Sequence, residues 1–246
     1  MNAAPIGFAP DWPAPSRVRA WVTERGAGSG RYHALNLATH VGDDVAAVAA
    51  NRARLRATLA LPSEPAWLDQ VHGTRVLDLD TEAIAAADGA VTARAGVVCA
   101  VLTADCLPVL LCDVGGRRVG VAHAGWRGLL GGVLPAAVRA LRVPPDQVLA
   151  WLGPAIGRAA YEVGADVRDA FLAVQPSAAA HFTENSRGRW QADLDGLARD
   201  SLGAAGVTAV FGGGVCTFRE SGRFLSHRRE APCGRMATLI WRELEA

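Results

Sequence analysis

The sequence predicts a mixed α/β (α+β) fold, with mixed β-sheets flanked by helices. Three observations lead there. Apolar runs rich in Val and Leu, about four to six residues long, have the length and composition of buried strands. Longer segments rich in Ala, Arg and Leu interleave with them at helical length. A Gly115-Gly116 pair between two apolar runs reads as a tight hairpin turn, so antiparallel pairing joins the α/β alternation. With 246 residues, half of them hydrophobic, the chain suits one large domain.

Residues 1–17 read as an extended lead-in, with four prolines in the first fifteen positions, and residues 18–246 as a single catalytic domain. Val18–Thr23 alternates as a strand. Residues 24–32 form a Gly-rich, mobile stretch that is no phosphate loop, because no G-x-x-x-x-G-K-[ST] occurs in the chain. Asp43 or Asp44 caps a helix over 45–61, and Pro62 ends it. Strands over 66–70 and 75–79 flank Val71-His72-Gly73-Thr74. The centre of the chain is the stretch 97–128, where two apolar runs enclose Thr103-Ala104-Asp105-Cys106 and a third run ends on His123. A helix over 126–141 follows, despite Gly131, Gly132 and Pro135, and its first amides point at the site as an alternative anion holder. Next come a strand over 148–152, helices over 166–174 and 193–205, and a strand over 207–211 before Gly212-Gly213-Gly214. Strands over 224–227 and 236–241 complete the chain, with Arg228, Arg229 and Arg235 clustered around Gly234 between them.

A formal charge of +1 makes no electrostatic case for nucleic acid or an acidic membrane surface. Five cysteines without framework spacing point to reduced thiols and a cytoplasmic setting. Residues 1–15 hold no basic residue and no signal pattern, and no apolar run reaches the roughly 20 residues of a membrane helix. A monomer or weak homodimer is expected.

His72, Cys106 and His123 stand out together, each beside a turn at the end of an apolar strand. Any one of them alone is ordinary core or surface chemistry. Cys106 stands above Cys99 and Cys112 because its Asp105 neighbour falls in the loop-like tetrad Thr103-Ala104-Asp105-Cys106, and an Asp in an apolar run needs a partner. Two imidazoles and a thiolate suit Zn²⁺ or Cu²⁺, and three protein ligands leave a fourth position open, as in catalytic zinc sites. Such an ion lowers the pKa of its water to about 7. The separations, 34 residues and then 17, match no local zinc motif.

A wider set of motifs is specific: Asn36…His40-Val41-Gly42-Asp43-Asp44…Asn51-Arg52, Asp69-Gln70-Val71-His72-Gly73, Ala87-Asp88-Gly89, Thr103-Ala104-Asp105-Cys106-Leu107-Pro108, His123-Ala124-Gly125-Trp126-Arg127-Gly128, Leu152-Gly153-Pro154-Ala155-Ile156 and Gly234-Arg235-Met236-Ala237. Together they resemble the YfiH/laccase-domain family, from about Val18 to the C-terminus. The resemblance implies a sandwich of mixed sheets flanked by helices. It implies that His72, Cys106 and His123 are the metal-binding catalytic cluster. It also implies phosphorolysis of adenosine, inosine and methylthioadenosine, with adenosine deamination. One departure is His227, where a Tyr is common in relatives.

On this reading the partners are purine nucleosides and phosphate. Arg52, Arg229 and Arg235 are phosphate candidates by charge, and Asn36 a sugar or base contact. Asp105 and Glu162 are candidate proton shuttles, since the H-x-E and P-C-x-x-C signature of zinc deaminases is absent. Three other functions compete. A Cys106–His123 pair suits amide cleavage in peptidoglycan-precursor editing. A copper polyphenol oxidase fits the ligand types, but six histidines are few for a multinuclear cluster. A zinc-binding interaction module would need a closed fourth position.

Overall fold

The computed structural model describes residues 6–27, 32 and 35–244. In chain order its strands are β1 (Gly7–Phe8), β2 (Val18–Thr23), β3 (Ala66–Trp67), β4 (Val76–Asp78), β5 (Gly89–Thr92), β6 (Val98–Thr103), β7 (Leu107–Asp113), β8 (Val119–Ala124), β9 (Val148–Leu152), β10 (Glu162–Val163), β11 (Phe182–Glu184), β12 (Trp190–Ala192), β13 (Ala209–Gly212) and β14 (Met236–Arg242). The helices are α1 (Val45–Thr58), α2 (Trp126–Gly131), α3 (Val133–Ala140), α4 (Ala165–Val174), α5 (Leu194–Ala204) and α6 (His227–Glu230).

Two mixed sheets stack face to face. One has the order β1-β2-β14-β6-β3, the other β13-β9-β7-β8-β5-β4, and a small sheet β10-β12-β11 stands apart. The period of two along each strand sorts the side chains into layers. In β6, Cys99 and Val101 meet Leu110, Cys112 and Val121 between the sheets, while Val98, Ala100 and Leu102 face the other way, towards Leu55 of α1. In β7, Leu107, Val109 and Leu111 pack instead on the α3 and α5 side chains Leu134, Val138 and Leu197. The result is a sandwich of two mixed sheets with helices on both outer faces, as the sequence predicts.

The central stretch departs from the expected strand pair. Its first two runs, β6 and β7, are consecutive in sequence but lie in different sheets. The tetrad between them is therefore a crossover from sheet to sheet. The hairpin at 115–116 does form, pairing β7 with β8 antiparallel. The chain also changes sheets between β3 and β4, through the His72 loop, and between β5 and β6.

Local chemistry explains most boundaries. Asp44 caps α1 by accepting from the Ala46 and Ala47 amides. The strand expected over 66–70 stops at Trp67, because the Gln70 side chain rather than its backbone takes the Leu102 amide and carbonyl. The helix expected over 126–141 breaks at Gly132, whose φ of +92° is left-handed. Pro135 then falls in the first turn of α3, where amides have no helical partner. The strand expected over 224–227 is not formed. Phe224 and Leu225 are buried as a plug, and the Ser226 hydroxyl caps α6 by accepting from the Arg229 amide. Part of the expected lead-in pairs with the sheet, Gly7 opposite Thr23 and Phe8 opposite Val22. Much of the Gly-rich stretch at 24–32 lies outside the described residues.

Candidate metal centre and its pocket

All three predicted ligands come to one end of the sandwich. His72 sits in the β3–β4 crossover with φ +59°, a left-handed conformation uncommon outside glycine. Cys106 ends the β6–β7 crossover, just after Asp105, which has φ +87°. His123 lies inside β8, paired in register with Pro108 of β7. The two imidazole rings meet edge to face, with centroids 4.8 Å apart, and Cys106 Sγ lies 3.8 Å from His72 Nε2. One donor atom from each residue lies within 4.8 Å of the others.

These residues fit a metal ion. A tetrahedral ion with bonds of about 2.0–2.3 Å holds its ligand atoms about 3.3–3.6 Å apart, so small side-chain rotations close the cluster around it. Two neutral imidazoles and a thiolate also match the donor preference of zinc and copper. Room is minimal on the Gly125 side of the cluster, because a β-carbon there would stand 3.0 Å from Cys106 Sγ.

The ionisation of the cluster follows from its neighbours. For Cys106, burial opposes ionisation, but the His123 charge and hydrogen bonds from both histidines outweigh it, and the thiol is lowered to about 6. For His123, burial opposes protonation, but the Cys106 thiolate and the Asp88 carboxylate raise it to about 9. By contrast, burial pushes the Cys99 thiol up, and raises Cys112 to about 12, which leaves both as inert core residues.

Asp88 is fully buried just before β5. Its Oδ1 accepts from the His72 amide at 2.9 Å and lies 2.8 Å from His123 Nδ1. Its Oδ2 accepts from the amides of Gly73 at 2.6 Å and Val71 at 3.2 Å. Burial alone would raise this carboxyl, yet the His123 and backbone hydrogen bonds hold it below its ordinary value.

The cluster forms the floor of a pocket of about 260 Å³, whose walls include His40, Gln70, Tyr161, His227, Arg228 and Arg235. Burial first, then the charge of Arg235, keeps His40 below the usual imidazole value, so it is neutral at pH 7. Burial first, then the charge on Cys106, pushes the Tyr161 phenol up, so it remains a donor. Arg228 uses Nη1 on the Glu162 carbonyl, and Arg235 uses Nη1 on the carbonyls of Cys233 and Gly234. Among the described residues, their other guanidinium nitrogens have no hydrogen-bond partner, and the Arg228 guanidinium lies over the Tyr161 ring, 5.4 Å from its centroid.

Of the residues expected to bind substrate, Arg235 and Asp105 line this pocket and three others do not. Arg52 gives Nε and Nη2 to the Leu37 carbonyl and stacks on Trp67, holding α1 to the loop before it. Arg229 gives Nη1 to the carbonyls of Thr217 and Phe218 and Nη2 to that of Phe224, so it binds together the C-terminal loop. Asn36 is fully buried, and its amide serves Ala38, Asp43 and the Arg235 backbone. Asp105 faces the pocket, but its carboxylate is taken up by Thr217 Oγ1, Ser226 Oγ and the Arg228 amide. It positions the arginine loop rather than meeting a ligand with a free oxygen. The Glu162 carboxylate pairs with Asn185, Arg187 and Arg189, away from the pocket.

Asp88 and Gly125 are legible in the sequence as motif members, and Arg228 as one of the arginines clustered around Gly234, but none of the three as a site residue. The signal for Arg228 was its place next to Arg229 on a single helical turn. Neighbouring helical residues point about 100° apart, so one guanidinium reaches the pocket and the other the loop behind it. The signal for Asp88 was an acid inside an apolar run, as for Asp105.

A family model described as multi-copper polyphenol oxidoreductase laccase matches residues 19–243. A Pseudomonas aeruginosa protein named a purine nucleoside phosphorylase is 53% identical over 98% of this chain and 99% of its own length. The Escherichia coli YfiH protein, also named a purine nucleoside phosphorylase, is 48% identical over 94% of this chain and 97% of its own. The crystal structure of a Neisseria meningitidis protein superposes with a TM-score of 0.93 at 46% identity, covering 98% of this chain and 100% of that one. YlmD from Geobacillus stearothermophilus superposes at 0.89 with 31% identity, covering 99% of this chain and 98% of its own.

Proposed function

The chain belongs to the YfiH-type family of multi-copper polyphenol oxidoreductase laccases, and from that premise we propose that it is a metal-dependent purine nucleoside phosphorylase acting on adenosine, inosine and methylthioadenosine. The observation that carries this reading is the pairing of an open His72/Cys106/His123 donor set with two arginines on one pocket wall. The names of the relatives support the same activity.

In phosphorolysis the C1′–N9 bond of the nucleoside breaks and a phosphate oxygen bonds to C1′. The purine leaves with the bonding electrons and must gain a proton. Phosphate carries one to two charges at neutral pH and suits guanidinium forks. Arg228 and Arg235 supply them here, with nitrogens not used by the fold. Leu102 and Ile156 give the base an apolar wall, and Tyr161 adds a ring with a protonated hydroxyl beside it. Neutral His40 is able to accept or donate at the purine edge, and the Tyr161 hydroxyl to donate. His72, Cys106 and His123 would hold a zinc or copper ion, which when bound would supply Lewis acidity at this floor. Adenosine deamination is the companion activity of the same pocket.

Chromatography of a nucleoside panel, with and without phosphate, tests the reading. Adenosine or inosine yields free base and ribose 1-phosphate only when phosphate is present. Equal base release without phosphate would make the protein a hydrolase. A second reading is favoured by the lowered Cys106 thiol beside His123: a thiolate nucleophile acting on an amide. Cleavage of a muropeptide precursor with no nucleoside turnover would establish it instead.

A further inference from the structure

We infer that Asp88 is the positioning residue that joins the two histidine arms of the metal cradle and sets which nitrogen of His123 faces the metal. His72 and His123 belong to different elements, a crossover loop and a strand. Asp88 is the one carboxylate among the described residues bonded to both. Its Oδ1 serves the His72 amide and His123 Nδ1, and its Oδ2 serves the Val71 and Gly73 amides. The backbone of Asp88 adds two more ties. Its carbonyl accepts from the His123 amide at 2.7 Å, and its amide donates to the Arg75 carbonyl at 2.9 Å.

Two consequences follow. The left-handed turn at His72 is held by three successive amides, 71 to 73, on one buried carboxylate. That offsets the cost of placing a non-glycine residue at φ +59°. The same carboxylate accepts the Nδ1 proton of His123, so the Nε2 lone pair is left for the metal. Removing Asp88 would loosen one ligand and misdirect the other.

The Asp88→Asn variant separates these effects because it keeps the shape. An asparagine brings one oxygen and one NH₂ to a site where four donors are arranged around two acceptor oxygens. With NH₂ at the Oδ2 position it would face two backbone amides, which cannot accept. With NH₂ at the Oδ1 position it faces one amide and His123 Nδ1, which can accept by moving its proton to Nε2. That second arrangement is the cheaper one, and it blocks the ligating nitrogen.

The inference rests on the metal reading of the triad, so zinc stoichiometry of the wild-type protein is measured first. Zinc absent from wild type held in excess Zn²⁺ would remove both the metal reading and the role of Asp88. With zinc bound, competition titration should show Asp88→Asn binding Zn²⁺ about 10- to 100-fold more weakly. The cobalt-substituted variant should lose the wild-type thiolate-to-cobalt absorption pattern. A purely structural Asp88 would lower Tm while leaving Zn²⁺ affinity within twofold of wild type, and that result would overturn the inference. Should the variant fail to fold, the zinc-loaded wild type decides the matter by ¹⁵N-resolved NMR. A slowly exchanging, downfield Nδ1 proton on His123 supports the inference, and an Nε2 proton there overturns it.

Discussion

Gly125 lies so close to Cys106 that a β-carbon on it would stand 3.0 Å from the thiol sulfur and 3.1 Å from His72 Cδ2. Its backbone, φ −67° and ψ 164°, is open to any residue. The need for glycine is therefore one of space, set by the side chains of Cys106 and His72. Gly125→Ala should fold with a Tm near wild type. Overpacking typically costs about 1–3 kcal/mol, and here it falls on the ligands. Zinc affinity should drop on the order of tenfold or more, read by competition titration beside a thermal melt.

Arg228 and Arg235 should separate from Arg52 and Arg229. A charged hydrogen bond contributes roughly 1.5–3 kcal/mol, so Arg228→Ala or Arg235→Ala should raise the KM for phosphate about tenfold to a hundredfold. Arg228→Lys should recover only part, because it keeps the charge and loses the fork. Arg52→Ala and Arg229→Ala should lower Tm, since their guanidinium groups hold backbone carbonyls. Steady-state kinetics with varied phosphate, together with melts, reads both. An unchanged phosphate KM in Arg228→Ala and Arg235→Ala would place the anion elsewhere.

Asp105 ties the crossover that carries Cys106 to the start of α6, which carries Arg228. Asparagine tolerates its left-handed backbone but accepts fewer hydrogen bonds. Asp105→Asn should destabilise the fold by about 1–3 kcal/mol and raise the phosphate KM. Zinc content should be retained, because Cys106 keeps its place in the chain between two paired strands. Denaturant unfolding, elemental analysis and kinetics on one preparation distinguish these effects. Loss of zinc in the folded variant would contradict the assignment.

Zinc binding should depend on pH with a definite sign. The Cys106 thiol is lowered to about 6 and His123 is raised to about 9. Between those values the chelator-stripped protein carries a thiolate beside an imidazolium. Ligands must lose their protons to bind metal. Zinc should therefore release about one proton in that window, with affinity rising about tenfold per pH unit and levelling above pH 9. Below pH 6 the thiol proton must leave as well, and the slope steepens. The stripped protein should show the matching stability profile. The depressed Cys106 contributes stability that is lost as pH falls through 6. The raised His123 contributes stability that is lost as pH rises through 9. Melts across pH on wild type and Cys106→Ser should show this plateau only in wild type.

Much of this protein was determined by its sequence alone. The period of two in Val98–Thr103 and Leu107–Asp113 sets which side chains enter which layer, because strand geometry turns alternation into faces. The Gly115-Gly116 hairpin, the Asp44 cap and the three ligand types are all local, and local chemistry is readable in one dimension. Tertiary structure decided what rests on meetings between distant segments. That β6 and β7 part into different sheets is settled by pairing with β14 and β9, far along the chain. Arg52 and Arg229 carry the same charge as Arg228 and Arg235. Only their partners show that the first two are committed to carbonyls of the fold, while the last two face the pocket with guanidinium nitrogens that have no hydrogen-bond partner among the described residues. Asp88 is one acid among 24 in the sequence. Its role exists only because folding brings four donors from two segments to its two oxygens, and a hydrogen bond is a matter of distance in space, which residue type and spacing do not encode.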